Sequence, residues 1–318
     1  MKQRQISLVV LAALLMPPWE AFAAPFTFEV VATFDYPGAN AYTSANGIDE
    51  RGDVAGTYLD QNSVYRGFVR FNDGRFSDPI TEPNALDFTF ASGINSSRTV
   101  CGSFLANGGY EGYILSGGIF TEFALSALHT FVGDLNDMNN FCGETISPNQ
   151  GFVSIDSAVT ILSIEGGDYT SANCINNLNQ VVGSYTQGGE TFGFYRDADG
   201  TLTYPIAVAS AIGTTLYGLN DRGLMVGIAS FGRGTRAVLF NGPNRYVLYS
   251  VPGATDTYFA DINNRGLICG SYFDQAGRHG FLARVRPATL GVAARGSVLT
   301  FDISHLRQGE ALCVNNED

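Results

Sequence analysis

Short apolar runs recur along the whole chain, and polar turns rich in Gly, Asn and Asp separate them. The run from Val181 to Tyr185 is one example, and the segment from Asp221 to Gly223 is one of the turns. Runs of this length predict β-strands, and Asn and Gly suit the left-handed backbone of a tight hairpin. The pattern therefore predicts an all-β protein built from short strands.

A threonine followed 13 positions later by a glycine occurs six times, at intervals of 46, 41, 40, 44 and 43 residues. Each threonine is also followed by four residues, then Ile or Leu, then Asn or Asp. A second motif, in most units x-Gly-Phe, follows each glycine after a short turn. The threonines are Thr43, Thr89, Thr130, Thr170, Thr214 and Thr257, and the glycines are Gly56, Gly102, Gly143, Gly183, Gly227 and Gly270. The chain is thus six copies of one unit.

Each unit contains four predicted strands. We call them A (threonine to Asn or Asp), B (to the glycine), C (the x-Gly-Phe strand) and D (the last strand). A single sheet of this size cannot bury both of its faces, so neighbouring units must stack. Four strands in a repeat of about 40–45 residues are typical of a propeller blade. We therefore predict a six-bladed β-propeller of four-stranded blades.

The order of the strands at the two chain ends predicts that the ring is closed. The chain begins with a D-like strand, Phe28 to Gly38, and its last full unit ends with a C strand, Gly280 to Arg284. Six whole sheets form only if the first D strand completes the last blade, which removes the bare edges of a linear array. The propeller is predicted over residues 24–284, closed by the N-terminal strand. Residues 285–318 are expected to be a partly ordered tail.

Residues 1–23 are predicted to be a secretory signal peptide. Lys2 and Arg4 precede an apolar stretch that is too short to span a bilayer as a helix. Ala21-Phe22-Ala23 then supplies the small-x-small pattern of a cleavage site. We expect cleavage after Ala23 and export to the periplasm or the cell exterior, with no membrane attachment afterwards.

The composition excludes several classes of function. The net charge is −12, and Lys2 is the only lysine, so a chain without the signal peptide has none. A chain without Lys cannot use a Schiff base or a P-loop. An acidic chain without a basic run is a poor match for nucleic acid or an anionic membrane. We expect a monomer that uses no cofactor.

Five cysteines are present, and three of them, Cys101, Cys142 and Cys269, occupy the same place in their units. Equivalent positions of different blades are far apart, so these cysteines are predicted to be small buried residues and not disulfide partners. The Cys and His spacings do not match a zinc site, and no calcium-loop motif is present. No Gly-x-Ser-x-Gly elbow occurs either. The sequence thus predicts no metal site.

The repeated motifs resemble those of the HAF-repeat family of extracellular bacterial proteins. The resemblance covers residues 28–284 and is carried by Gly-Ile-Asn, Val-Val-Gly-x-Tyr, His-Gly-Phe and Asp-x-Pro-Gly-Ala elements. They stand at Gly93–Asn95, Val181–Tyr185, His279–Phe281 and Asp35–Ala39. The family's histidine is retained only at His279. The resemblance implies export and a propeller-like array, and it brings no established chemistry.

Repeated positions are scaffold by default, so function is expected where units differ. The residue before each threonine varies most: Tyr42, Phe88, His129, Tyr169, Gly213 and Asp256. In a six-fold ring Tyr42 would face Tyr169 and His129 would face Asp256, which predicts a small polar ligand site at one end of the channel. The alternative is that these are loop residues without a shared cavity.

Units 3 and 6 carry further exceptions. Asp134 and Asp261 replace the usual Gly before the Leu-Asn or Ile-Asn pair, Glu144 follows the glycine of unit 3, and His279 begins the second motif of unit 6. Buried acids need a partner, a cation or solvent. Asp134, Glu144 and His279 are therefore additional candidate ligand-binding residues, unless they are solvated turn residues.

Two classes of function fit these observations. The first hypothesis is an exported binding or interaction propeller without catalysis, whose partner is a glycan or another extracellular ligand. The alternative is a carbohydrate-active hydrolase or lyase that uses His129, Asp134 and Glu144 as acid/base groups and the tyrosines as sugar contacts. A structural role in the envelope or matrix is a third possibility.

Overall fold

The computed structural model describes residues 26–125 and 129–287, and these residues form β-strands and turns without any helix. A helix able to cross a membrane is accordingly not found within these ranges. The predicted signal peptide, residues 288–318 of the predicted tail and Cys313 lie outside the described residues. The all-β class predicted from the sequence is confirmed for the described part of the chain.

The first twelve strands are β1 (Phe26–Phe34), β2 (Thr43–Ile48), β3 (Val54–Leu59), β4 (Tyr65–Arg70), β5 (Thr89–Ile94), β6 (Val100–Ala106), β7 (Gly109–Ser116), β8 (Ile119–Phe123), β9 (His129–Leu135), β10 (Phe141–Ile146), β11 (Gln150–Ile155) and β12 (Ala158–Leu162). The others are β13 (Tyr169–Ile175), β14 (Val181–Gln187), β15 (Glu190–Arg196), β16 (Leu202–Ile206), β17 (Gly213–Leu219), β18 (Leu224–Phe231), β19 (Gly234–Asn241), β20 (Tyr246–Tyr249), β21 (Asp256–Ile262), β22 (Leu267–Asp274) and β23 (Gly277–Pro287).

The strands form antiparallel sheets that follow the predicted units. Strands β5–β8 and β9–β12 are four-stranded sheets, and β2–β4 form a sheet to which the segment from Phe76 to Ile80 adds two bridges. Strands β13–β16 and β17–β20 are joined by one parallel bridge, Thr191 to Gly213, into an eight-stranded sheet. The predicted assignment of A, B, C and D strands is therefore correct for these units.

The N-terminal strand belongs to the sheet of the last unit. Its order is β1-β23-β22-β21, so β1 occupies the D position beside the C strand β23. The side chains Glu29 and Arg286 form an ion pair across β1 and β23, with 2.8 Å between Arg286 Nη2 and Glu29 Oε2. This pairing agrees with the predicted exchange of the terminal strand.

The repeated glycine marks a close approach of two strands. In unit 2 a Cβ on Gly102 would collide with the carbonyl oxygen of Phe90 on the neighbouring A strand, and in unit 4 a Cβ on Gly183 would collide with that of Ser171. In five of the units a phenylalanine or tyrosine of the C strand also lies against this glycine, as Phe194 does at Gly183. Only glycine fits this position, which explains its recurrence in all six units.

The buried core lies mainly between neighbouring sheets. Leu239 of β19, for example, belongs to one buried cluster with Phe259 of β21 and Phe281 of β23. Each sheet therefore buries its faces against the sheets on either side, which is the packing expected for stacked units.

The asparagine that ends the A strand in units 2 to 6 connects one unit to the next. Its side-chain oxygen accepts two backbone N–H bonds from its own turn, as Asn136 does from Met138 and Asn140, both at 3.0 Å. This confirms the predicted turn role of the asparagines. The side-chain nitrogen of Asn136 also donates to the carbonyl oxygen of Asn176 in the next unit, at 3.0 Å. Buried amides paired on both ends in this way fix the spacing between units.

The same bond recurs from unit to unit and returns to the start of the chain. Asn95, Asn136, Asn176 and Asn220 each donate to the carbonyl oxygen of the equivalent asparagine in the following unit. Asn263 of the last unit donates to the carbonyl oxygen of Asp49 in the first unit, at 2.9 Å. The last sheet therefore lies beside the first.

Candidate functional site

The starts of the A and C strands carry a continuous series of aromatic rings across units 1 to 3. Consecutive ring centroids lie 5.0–6.2 Å apart, which is the range of favourable aromatic pairs. All of these rings are half-buried. We call this series the aromatic arc, and its members are Tyr42, Tyr65, Phe88, Phe90, Tyr110, His129 and Phe131.

The residues before the repeated threonines lie at the joints between units. Three of them contact the C strand of the preceding unit. His129 Nδ1 accepts a hydrogen bond from the backbone N–H of Tyr110 at 3.1 Å, and the ring of Phe88 packs on that of Tyr65. The Asp256 carboxylate accepts a hydrogen bond from the backbone N–H of Thr235 at 2.8 Å. The structure thus brings Tyr42, Phe88 and His129 into one aromatic arc. It places Asp256 at a different joint, between units 5 and 6.

A cavity of about 330 Å³ adjoins the aromatic arc. Units 1 to 4 contribute to its wall, and Tyr42, Phe90 and Phe131 belong both to this wall and to the arc. We call it the channel cavity. Its polar lining consists of Ser44, Asn46, Thr57, Ser92, Ser103, Glu144, Ser171 and Asn173. The wall therefore combines three aromatic rings with hydroxyl, amide and carboxylate groups.

Two identical sequences supply the amides of the channel cavity. The segments Thr43–Asn46 and Thr170–Asn173 both read Thr-Ser-Ala-Asn and occupy the A strands of units 1 and 4. In both, the serine hydroxyl donates to the asparagine side-chain oxygen, at 2.6 Å from Ser44 and 2.5 Å from Ser171. The amide nitrogens donate to main-chain oxygens of the next unit. The hydroxyl and amide groups are thus held in place before any ligand binds.

Glu144 and Tyr169 form a pair beside the channel cavity. The Tyr169 hydroxyl donates to the Glu144 carboxylate, and Glu144 lines the cavity. Burial and, secondarily, the Glu144 charge raise the pKa of the Tyr169 hydroxyl well above its usual value, so it remains a proton donor at neutral pH. Tyr169 therefore orients one carboxylate at the cavity wall.

Arg278 lies at the end of the aromatic arc, between units 6 and 1. Its guanidinium carbon is 5.1 Å from the ring centre of Tyr42 and 5.3 Å from those of Tyr258 and Phe273. Its Nη1 donates to the Tyr42 hydroxyl at 3.0 Å, and its Nε is buried without a hydrogen-bond partner. The described residues contain no carboxylate that forms an ion pair with it.

The opposite opening of the channel is narrow and acidic. Residues of all six units surround a space of about 60 Å³, and Asp134 and Asp261 both line it. Each of these aspartates lies beside a β-bulge in its A strand, where Asp134 pairs with Cys142 and Asp261 with Cys269. The other four units have glycine or cysteine at this position. The four described cysteines are buried and free, as predicted for Cys101, Cys142 and Cys269.

The two buried aspartates accept backbone hydrogen bonds from neighbouring units. Asp134 accepts the N–H of Ile175 at 3.2 Å, and Asp261 accepts that of Ile48 at 2.9 Å. Burial raises the pKa of Asp134 to about 7, and burial and the Asp134 charge raise the pKa of Asp261 strongly. No group of three His, Cys, Asp or Glu side chains in the described ranges has the geometry of a metal site.

His279 lies away from both openings and connects the N-terminal segment to the last unit. Its Nδ1 is 2.9 Å from Asp35 Oδ1, directly after β1, and its Nε2 is 3.1 Å from Asp274 Oδ1. Burial of the ring lowers the pKa of His279, but the two carboxylates together raise it further, so the net pKa lies above its usual value. His279 therefore links the last unit to the segment that directly follows β1.

We expect the His279 contact to stabilise the fold below pH 6.5 and to fade as the pH rises through the raised pKa, because the folded state holds the proton more tightly. His279→Gln should lower the unfolding free energy by about 1 kcal/mol or less at pH 5.5, since both carboxylates are partly exposed. Melting temperatures of both proteins between pH 5 and 9 measure the effect. Asp35→Asn, which removes one of the two carboxylates, is the matched variant. If the melting temperatures of the wild type and His279→Gln change in parallel with pH, the stabilising role of the His279 contact is wrong.

Sequence reasoning missed the residues that line most of the channel cavity. In units 1 to 4 they lie one and three positions after the threonine, as Ser44 and Asn46 do after Thr43. Because alternate residues of a strand face the same side, the residues one and three positions after the threonine are expected to face the same side as the variable residue before it. The repeated Thr-Ser-Ala-Asn was a second available signal. Arg278 had no comparable signal, because its C strand reaches the arc only through the packing of units 6 and 1.

Comparisons with known proteins show the fold and leave the family open. Neither a family model nor a curated protein sequence matches the chain. Among solved structures, a TolB-like protein from Agrobacterium tumefaciens is 10% identical, with 78% of this chain and 91% of that chain covered and a TM-score of 0.50. Virginiamycin B lyase from Staphylococcus aureus is 13% identical, with 81% and 99% covered and a TM-score of 0.47. A lectin from Aleuria aurantia is 8% identical, with 82% and 99% covered and a TM-score of 0.45. The chain has a β-propeller-like fold.

Proposed function

We propose that this protein is an exported, six-bladed β-propeller that is closed by its N-terminal strand and belongs with the HAF-repeat proteins. Two observations support the closed ring: β1 pairs with β23, and Asn263 of the last unit donates to Asp49 of the first. The apolar, basic-led segment within residues 1–23 supports export. The propeller then serves as a rigid frame for one ligand site.

We further propose that the function of this frame is to bind a carbohydrate at the aromatic arc and the channel cavity. The observation that carries this proposal is the shared wall of the two, where half-buried rings adjoin fixed hydroxyl and amide groups. Sugars present apolar C–H faces that pack on aromatic rings and hydroxyl groups that bond to amides and hydroxyls. The volume of about 330 Å³ lies within the range of small-ligand sites.

The positions of His129, Asp134 and Glu144, the acid/base candidates from the sequence, favour a binding function over catalysis. Glu144 lines the channel cavity, whereas Asp134 lines the narrow opening at the other end of the A strands. His129 Nδ1 accepts a backbone N–H, which occupies the nitrogen that a base would use. The three groups are therefore not gathered around one reacting atom, as acid/base catalysis requires.

A saccharide-binding screen tests the proposed function directly. A chain of residues 24–318 should bind a subset of an oligosaccharide array, and Tyr65→Leu should weaken that binding about tenfold or more, because Tyr65 contacts three rings of the arc. Calorimetric titration of the best array ligand gives the affinities.

The matched control is Tyr204→Leu. Tyr204 is 40% exposed and lies on the outer strand β16, outside the arc. Its replacement should change the affinity less than twofold. If no saccharide binds, or if both variants weaken binding equally, the proposed carbohydrate site is wrong.

A further inference from the structure

We propose that the ligand of this site is an acidic saccharide and that Arg278 binds its carboxylate. The inference rests on the proposed carbohydrate function and adds the charge of the ligand to it. Its basis is a partly buried arginine that contacts the aromatic arc without a carboxylate partner in the described residues, although the chain carries a net charge of −12.

The surroundings of Arg278 hold the guanidinium in one orientation. The rings of Tyr42, Tyr258 and Phe273 surround it at 5.1–5.3 Å, and Nη1 is bound to the Tyr42 hydroxyl. Its backbone N–H donates to Ala41 at 3.0 Å, and this bond anchors the strand beside the first unit. An arginine fixed in this way loses little side-chain entropy when it binds an anion.

The donors of Arg278 are incompletely used. Nη1 has a partner, Nε is buried without one, and Nη2 makes no hydrogen bond to the described residues. A buried donor without a partner is destabilising, so an additional acceptor would stabilise this arrangement. Carboxylates are the acceptors that match a guanidinium best.

Arg278 also lies beside the channel cavity, because its Nη1 donates to the hydroxyl of Tyr42, and Tyr42 lines that cavity. Burial raises the pKa of the Tyr217 hydroxyl, the positive charge of Arg278 lowers it in part, and the negative charge of Glu144 adds a smaller rise. Tyr217 lies on the A strand β17, three positions after its threonine. The cavity is therefore lined by the anionic Glu144 and by Tyr42, which is bonded to the cationic Arg278. A sugar with one carboxylate and free hydroxyls complements this arrangement, because the carboxylate pairs with Arg278 and a hydroxyl can donate to Glu144.

The test compares saccharides that differ mainly in charge. Oligogalacturonate and its methyl ester form one such pair, and an array of acidic and matched neutral glycans supplies others. The wild-type protein should bind the acid form of the selected pair about tenfold or more tightly than the neutral form, and this preference should shrink at 0.5 M salt. Arg278→Gln should abolish the preference, measured as the ratio of the affinities for the acid and the neutral form.

A second variant separates loss of charge from loss of folding. Arg278→Lys keeps the charge and loses the planar fork, so it should retain part of the preference for the acid form. Melting temperatures within about 3 °C of the wild type show that either variant is folded. If Arg278→Gln does not fold, the salt dependence of the wild type and the affinities of Arg278→Lys decide the question.

The outcomes distinguish this inference from the proposed function. Saccharide binding that depends on Tyr65, but not on the ligand's carboxylate or on Arg278, overturns the inference and retains the carbohydrate site. The absence of binding to any saccharide overturns both. Peptides with a free C-terminal carboxylate serve as the third arm. Their capture through Arg278, without capture of acidic saccharides, replaces the inference with a peptide site.

Discussion

Removing residues 25–40, and with them β1, should lower the melting temperature of the protein by about 10 °C or more, because the sheet of the last unit loses one of its four strands. Phe28 packs at 5.0 Å from Tyr249 and 5.2 Å from Phe259, and Phe34 packs against Gly280. The deletion exposes these apolar faces and leaves β23 with an unpaired edge. Differential scanning calorimetry measures the change.

Complementation makes this test specific for strand exchange. A synthetic peptide of residues 25–40 should restore most of the lost stability when added in excess, whereas a peptide of the same composition in scrambled order should not. Val31→Thr is the matched point variant, because Val31 is 43% exposed on the same strand, and Phe28→Ala should destabilise the protein more. A truncated protein that melts at the wild-type temperature would show that β1 does not close the fold.

The repeat made most of the fold predictable from the sequence. Thr43 and its five equivalents set the phase, and that phase placed the first D strand in the sheet of β21–β23, where β1 is found. The asparagines were predicted to bond their own turns, and Asn136 does so. Its second bond, to Asn176 in the next unit, was not predicted, because a sequence pattern gives the periodicity within a unit and not the distance between units.

The candidate site was predictable only in part, for a physical reason. Tyr42 and His129 were recognised as variable positions, and both lie in the aromatic arc. Tyr110 and Arg278 were not recognised, because they lie on C strands and approach the arc through contacts between different units. The orientation of one sheet against the next decides which C-strand residues reach the channel, and a single sequence does not encode that angle in its pattern.

The stability of the protein should fall as the pH rises from 4 to 7, because of Asp134 and Asp261. Both carboxyl groups are buried beside the narrow opening, and burial raises the pKa of Asp134 to about 7. The pKa of an aspartate in the unfolded chain is about 3.9. The folded state therefore binds more protons in this range, and the unfolding free energy decreases with increasing pH.

The two protonated aspartates contribute their full stabilising free energy below pH 4, and this contribution is lost as the pH rises through their raised pKa values. For Asp134 alone it amounts to about 4 kcal/mol, because each pKa unit corresponds to about 1.36 kcal/mol. Asp134→Asn should keep an acceptor for the Ile175 N–H and remove this ionisation. Asp261→Asn should do the same beside Ile48. We expect each single variant to flatten the profile in part, and the double variant to flatten it between pH 4 and 7.

Chemical denaturation at pH 4.5, 6 and 7.5 measures these profiles. Asp137→Asn is the matched control, because Asp137 is an exposed carboxylate at the same opening, and its profile should follow that of the wild type. The pH range also distinguishes the effect of the two aspartates from that of His279, because the His279 contribution to stability changes only above pH 6.5. A double variant that retains the wild-type slope between pH 4 and 6 would show that both carboxyl groups ionise in the folded protein as readily as in the unfolded chain. In that case the narrow opening would have to be hydrated, since solvent is what would stabilise two charges so close together.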